Sequence, residues 1–194
     1  MSSDFPPSIL STGYEHTLAT GSLSKAYALA GLRTGWVASR SPALIARLAA
    51  TRHYTTIAVS SLDQHVAAFA LNPSTVHALL SRNIALARTN LALLERFVTK
   101  HDDYCGWSKP VAGTTAFIKF SREGRPVKAA AFCKRVLEVT GVMVLPGDDG
   151  FGEEWRGYVR VGYVNGTEVV REGLEALGRF MRREFEGVEV HEDG

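Results

Sequence analysis

Apolar residues recur along this chain with two periods, and each period predicts its own kind of element. From Ser74 to about Lys100, Val76, Leu79, Leu80, Ile84, Leu86, Leu91, Leu94, Phe97 and Val98 fall at helical spacing. That run predicts one helix stretching roughly 40 Å. Asn72-Pro73 before it supplies a capping side chain and a first-turn proline. Ser41-Pro42 opens another helix in the same way, running to about His53, and a further helix is predicted from Ser60 to Leu71. Val127 to Thr140 reads as an amphipathic helix with Phe132, Val136 and Leu137 inward and Gly141 as its stop. A last helix runs from Thr167, its predicted cap, to about Phe185.

Between these lie short stretches with strand character. Thr17 to Thr20 reads as a buried strand ended by Gly21, and Arg33 to Ala38 as its neighbour. Thr114 to Phe120, Val142 to Leu145 and Tyr158 to Val164 follow. In the last, Tyr158, Arg160 and Gly162 share one face, while Val159, Val161 and Tyr163 share the other. Residues 1–16 carry Pro6, Pro7 and Gly13 and read as loop. The acidic tail Gly187 to Gly194 is expected to fray. The pattern as a whole predicts an α/β chain.

Composition narrows the classes. The chain has 194 residues, 45% hydrophobic and 22% charged, with a formal net charge of +2. No dense basic run points to nucleic acid, and no segment has the apolar length of a membrane span. Met1-Ser-Ser-Asp-Phe-Pro-Pro lacks the basic head and apolar run of a secretory signal. Two cysteines, Cys105 and Cys133, lack metal or disulfide spacing, and the six histidines offer no metal pair. A reducing, cytoplasmic compartment is the expectation.

The chemistry concentrates in Gly21-Ser-Leu-Ser-Lys-Ala-Tyr-Ala-Leu-Ala-Gly-Leu-Arg-Thr-Gly-Trp36. Lys25 and Arg33 bracket an uncharged segment beside the hydroxyls of Ser22 and Ser24. Two cations flanking an apolar stretch suit a buried anion and a reactive amine. Loss of solvation would favour the amine's neutral, nucleophilic form. A second candidate is Arg160, since a guanidinium amid strand valines requires a partner. An internal salt bridge to Glu153 or Glu154 is one choice, and a ligand's carboxylate is the other.

At these residues the chain resembles the pyridoxal-phosphate enzymes of the class I/II aminotransferases, fold type I. The resemblance implies that Lys25 forms the Schiff base with pyridoxal 5'-phosphate, and that Ser22, Ser24 and Arg33 bind its phosphate. Pro146-Gly147 and Phe151-Gly152 are similar to the loop preceding that family's carboxylate-binding strand, so Arg160 is implied to hold the substrate carboxylate. The implied substrates are an amino acid and a 2-oxo acid, and the implied assembly is a homodimer. The segment Tyr54 to Ser61 is similar to one that approaches the partner subunit.

The resemblance also implies a layout. Residues 1–71 would be the C-terminal part of the large cofactor-binding domain, 72–100 the interdomain helix, and 101–194 the small C-terminal domain. The family's aspartate beneath the pyridine nitrogen, and the tyrosine three residues after it, have no counterpart ahead of Lys25. The chain is therefore expected to correspond to the second half of a family member. Two rival readings remain open. Ser22-Leu-Ser-Lys25 with Ser81-Arg-Asn83 fits part of a penicillin-recognising serine hydrolase pattern, though no Lys-Thr-Gly follows. A non-catalytic, subunit-pairing module is the other.

Overall fold

The computed structural model describes residues 6–192 and divides the chain into two compact units, Met1–Ser81 and Arg82–Gly194. In the first unit, β1 (Ala19–Ser22) pairs antiparallel with β2 (Gly35–Ala38), Ala19 facing Ala38 and Ser22 facing Gly35. The strand thus lies two residues later than its β-branched run suggests, and Gly21 falls inside it. The reason is local. A Cβ at Gly21 would overlap the Trp36 indole, so the bare glycine lets that ring lie across the strand. Thr17 is held in the preceding turn, its hydroxyl donating to the Tyr14 carbonyl at 3.0 Å. The strand is also less buried than expected, with Thr20 and Ser22 exposed. A ribbon of two strands leaves faces and edges open.

Two helices follow, α1 (Pro42–Arg52) and α2 (Ser61–Ala70). Pro42 opens α1 with Ser41 at the N-cap, but the Ser41 hydroxyl makes no capping bond. The Ser60 hydroxyl does cap α2, accepting from the Asp63 amide at 3.3 Å. The long helix is α3 (Val76–Lys100). It starts after Ser74 because the Asn72 carboxamide oxygen accepts from the Ser74 amide at 3.0 Å and its hydroxyl at 2.8 Å, closing a turn first. The division between the two units falls inside α3.

The second unit contains β3 (Cys105–Trp107), β4 (Thr115–Arg122), β5 (Arg125–Pro126), α4 (Ala129–Thr140), β6 (Leu145–Pro146), α5 (Asp148–Phe151), β7 (Tyr158–Gly162) and α6 (Thr167–Arg183). Its sheet is antiparallel in the order β3-β4-β7-β6, with β5 paired to β4. One sheet face supplies Ile118, Phe120, Val159 and Val161 to a core shared with Phe132 and Val136 of α4, Leu177 and Phe180 of α6, and Leu94 and Phe97 of α3. Each such side chain contributes about 1.5–3 kcal/mol on burial. No described helix is long and apolar enough to cross a membrane.

Four expectations need correction here. Leu137 is 46% exposed rather than inward, because Phe132, Cys133 and Val136 define the buried face and Leu137 lies one residue around the helix from it. The strand after Gly141 is confined to Leu145 and Pro146, since the Val142 amide is taken by the Thr140 hydroxyl at 3.1 Å. Gly166, not Thr167, is the N-cap of α6, and it makes no side-chain cap.

The tail is tied down through His191. The Lys128 amide donates to the Glu189 carbonyl at 2.9 Å and the His191 amide to the Pro126 carbonyl at 2.9 Å. Val127 bridges Val190 between them, and Val188 is buried. Residues 1–5 and 193–194, and the expectations that fall on them, lie outside the described residues.

Candidate functional site

The loop from Leu23 to Thr34 joins β1 to β2 and carries Ser24, Lys25 and Arg33, with Ser22 at the strand end beside it. Backbone bonds close it at the neck: the Leu23 amide donates to the Thr34 carbonyl at 3.1 Å and the Leu29 amide to the Leu23 carbonyl at 3.0 Å. Leu23 is completely buried and anchors the loop. On either side of it the hydroxyls of Ser22 and Ser24 meet at 3.0 Å, and the Ser24 amide donates to the Ser22 hydroxyl oxygen at 3.1 Å.

Two non-glycine residues adopt the left-handed conformation within the loop, Ala28 at φ 57° and Arg33 at φ 49°. Arg33 caps a one-turn 3-10 helix, Ala30–Leu32, and one of its guanidinium nitrogens donates to the Ala30 carbonyl at 3.1 Å. Strain of this kind collects where a site fixes its backbone. The remaining donors of Arg33 are open to a ligand. Lys25 is exposed, not desolvated as its apolar neighbours suggest, because the two-stranded ribbon provides nothing to cover it. Among the described residues its amine has no hydrogen bond or ion pair. The loop therefore holds Ser22, Ser24, Lys25 and Arg33 together, as a hydroxyl pair, an amine and a guanidinium.

Arg160 belongs to the second unit. It stands mid-strand in β7, opposite Phe117 of β4 on one side and Leu145 of β6 on the other. Val159 and Val161 are buried while Arg160 is half-buried, so the predicted alternation holds. The internal salt bridge does not form: Glu153 pairs with Arg156 at 3.4 Å. Among the described residues the Arg160 guanidinium has no ion pair or hydrogen bond.

An aromatic cluster lies beside Arg160. The Phe117 ring meets Phe151 edge-on at 5.0 Å and Trp155 at 5.3 Å, and stacks with Tyr158 at 6.0 Å. Sequence reasoning missed Phe117 and Trp155 as neighbours of the arginine. The alternation of Thr115, Phe117 and Lys119 along β4 was the available signal for the first; Trp155 has none, because only the fold brings it back. The start of β4 is fixed by Tyr163, whose hydroxyl donates to the Gly113 carbonyl at 2.8 Å; burial pushes its pKa up.

Fold and site define a class first: an α/β chain that presents an amine and guanidinium on one loop and a second guanidinium on an antiparallel sheet, suited to an anionic ligand carrying an electrophile. Comparison with known proteins then narrows it. Residues 2–177 match the sequence model described as Aminotransferase class I and II. The chain belongs to that family.

A capreomycidine synthase of Streptomyces vinaceus is 31% identical over 175 residues, covering 90% of this chain and 43% of that protein. An LL-diaminopimelate aminotransferase of Moorella thermoacetica is 30% identical over 165 residues, covering 82% of this chain and 39% of its own length. Among solved structures, a PLP-dependent aminotransferase from Streptococcus suis superposes with a TM-score of 0.77 at 31% identity, covering 93% of this chain and 44% of that one. The chain thus spans less than half the length of the relatives it matches. The fold is that of the corresponding part of PLP-dependent aminotransferases.

Proposed function

We infer that this chain supplies the lysine-bearing part of a PLP-dependent aminotransferase, acting on an amino acid and a 2-oxo acid. The observation that carries the reading is the loop itself, in which Ser22, Ser24, Lys25 and Arg33 project from one segment closed by the Leu23–Thr34 hydrogen bond. These donors fit pyridoxal phosphate chemically. Ser22 and Ser24 can donate hydroxyl protons to phosphate oxygens at short range, and Arg33 can add parallel N–H donors from its free edge. When bound, the cofactor supplies an aldehyde and an electron-withdrawing ring.

The chain's own residues do the rest. Lys25 holds the aldehyde end and, as a free amine, takes and returns the proton at the substrate α-carbon. Arg160 binds the substrate carboxylate through its unpaired guanidinium, and Phe117 and Trp155 keep water from that side. In this reading residues 1–71 belong to the large domain, 72–100 to the interdomain helix and 101–194 to the small domain. Pairing as a homodimer in the cytoplasm completes it, supported by Tyr54 at 91% exposure and Ile57 at 70%.

The test is borohydride reduction after adding pyridoxal phosphate, with peptide mapping. The adduct is expected on Lys25 and lost in Lys25→Ala. Labelling scattered over Lys100, Lys109, Lys119, Lys128 and Lys134 with Lys25 spared would sink the reading.

The exposure of Lys25 and of unit-one apolar side chains such as Phe69 and Leu62 favours one second reading, a non-catalytic pairing module. It predicts concentration-dependent self-association in ultracentrifugation with no absorbance change on adding the cofactor.

A further inference from the structure

A groove of about 430 Å³ runs between the C-terminal half of α3 and the middle of α6, within the second unit. Its walls are cationic. Arg96, Lys100 and His101 come from the α3 side, and Arg171, Arg179 and Arg182 from α6. Glu175 is the one acidic side chain lining it. Arg171 is partly neutralised by Glu168, one turn away on its own helix. Arg96, Lys100, Arg179 and Arg182 have no ion pair or hydrogen bond among the described residues. Arg96 and Lys100 stand one turn apart on the same helix face, a like-charge spacing that weakens a helix. The fold gains nothing from leaving these charges uncompensated.

The floor of the groove is built rather than accidental. Gly178 brings α6 close: a Cβ there would stand 3.4 Å from Nε2 of His101 and 3.8 Å from Nη1 of Arg182. Two nitrogens from different segments therefore converge on one point. His101 is only 8% exposed, and its ring packs on Phe97 at 4.7 Å between centroids. Leu93 and Leu174 add an apolar rim. A concave, cation-walled, partly apolar cleft of this size fits a compact multivalent anion better than a flat polymer surface does. The sheet and core separate this groove from Arg160, whose side of β7 faces away from the helices.

We propose that the α3–α6 groove binds an oligophosphate group, with Lys100 and Arg182 as its principal contacts and His101 at its floor. Guanidinium and ammonium groups match phosphate oxygens with charge-assisted hydrogen bonds. Burial, then the charges of Lys100 and Arg182, hold the His101 pKa below its ordinary range, so the empty groove carries a neutral imidazole. An anion placed between Lys100 and Arg182 reverses their influence, and His101 takes up a proton on binding. Glu175 and Arg179 are the other charged groups facing it across the groove.

Titration calorimetry of the full chain at low salt tests this, with inorganic tripolyphosphate in one arm and ATP in another. One-to-one binding is expected in both, weakened about tenfold or more by Arg182→Gln or Lys100→Gln, both exposed positions. Gly178→Ala narrows the floor and is expected to weaken binding likewise, while Arg33→Gln, in the other unit, leaves it unchanged. Heats measured in two buffers of different ionisation enthalpy should reveal net proton uptake that disappears in His101→Gln. Tighter binding of ATP assigns the groove to a nucleotide, through the Leu93 and Leu174 rim; equal binding assigns it to free oligophosphate. Absence of binding in both arms, or binding indifferent to both Arg182→Gln and Lys100→Gln, overturns the proposal.

Discussion

Gly35 faces Gly21 so closely that a Cβ on Gly35 would lie 2.6 Å from the Gly21 carbonyl oxygen. That oxygen is backbone and cannot swing aside. Gly35→Ala is therefore expected to part β1 from β2 and loosen the neck of the Lys25 loop, at about 1–3 kcal/mol. Pyridoxal phosphate binding, followed by absorbance, should weaken in step with the loss of thermal stability. Gly21→Ala is the milder change, since it meets the indole of Trp36, which is 43% exposed and able to move.

Arg160 has no intramolecular partner, and its removal should leave the fold intact. Thermal denaturation of Arg160→Gln is expected to match the unsubstituted chain within about 0.5 kcal/mol. Where the chain supports turnover or substrate-induced absorbance changes, the same variant should raise the half-saturating amino acid concentration about 100-fold, the loss of a charge-assisted bidentate pair. A fall in stability of several kcal/mol with unchanged substrate response would make Arg160 a structural residue.

His101 gives the second unit a pH dependence of definite sign. Its folded pKa lies below the ordinary value, through burial first and then Lys100 and Arg182. The unfolded chain therefore binds the proton more readily. This group's contribution to stability is full above the ordinary histidine range and is lost as pH falls through that range toward the folded pKa. Chemical denaturation from pH 8 to pH 5 should show it as a declining segment that flattens in His101→Gln. A slope unchanged by the substitution would contradict it.

Burial pushes the thiols of Cys105 and Cys133 up to about 12, with Asp102 adding to the first and Asp148 and Asp149 to the second. Thiolate is the reactive form, so both should resist iodoacetamide in the native protein near pH 8 and react on unfolding. Rapid native labelling at either position, read by mass spectrometry, would mean that the core opens.

The parts of this architecture legible in the sequence are those set by local chemistry. The period of Val76 to Val98 marks α3, the valines around Arg160 mark both faces of β7, and Gly141 marks the end of α4. What escaped depended on distant partners. Nothing near Val142 announces that the Thr140 hydroxyl will take its amide, and nothing in the acidic tail shows that Val188 and Val190 find places against Val127. For the site, the spacing of Ser22, Lys25 and Arg33 was enough to group them on one loop. The exposure of Lys25 was not legible, because desolvation depends on what covers a side chain rather than on its neighbours in sequence.

Leu23 sits wholly enclosed between two residues whose hydroxyls meet each other on the opposite side. Anchor and donors thus occupy alternate places on one short extended segment, and a frame of two governs both. Inserting or deleting a single residue anywhere from Thr20 to Ser24 would turn a hydroxyl inward and the leucine out. Protein engineers can exchange side chains here, but cannot change the length without losing anchorage and anion recognition together.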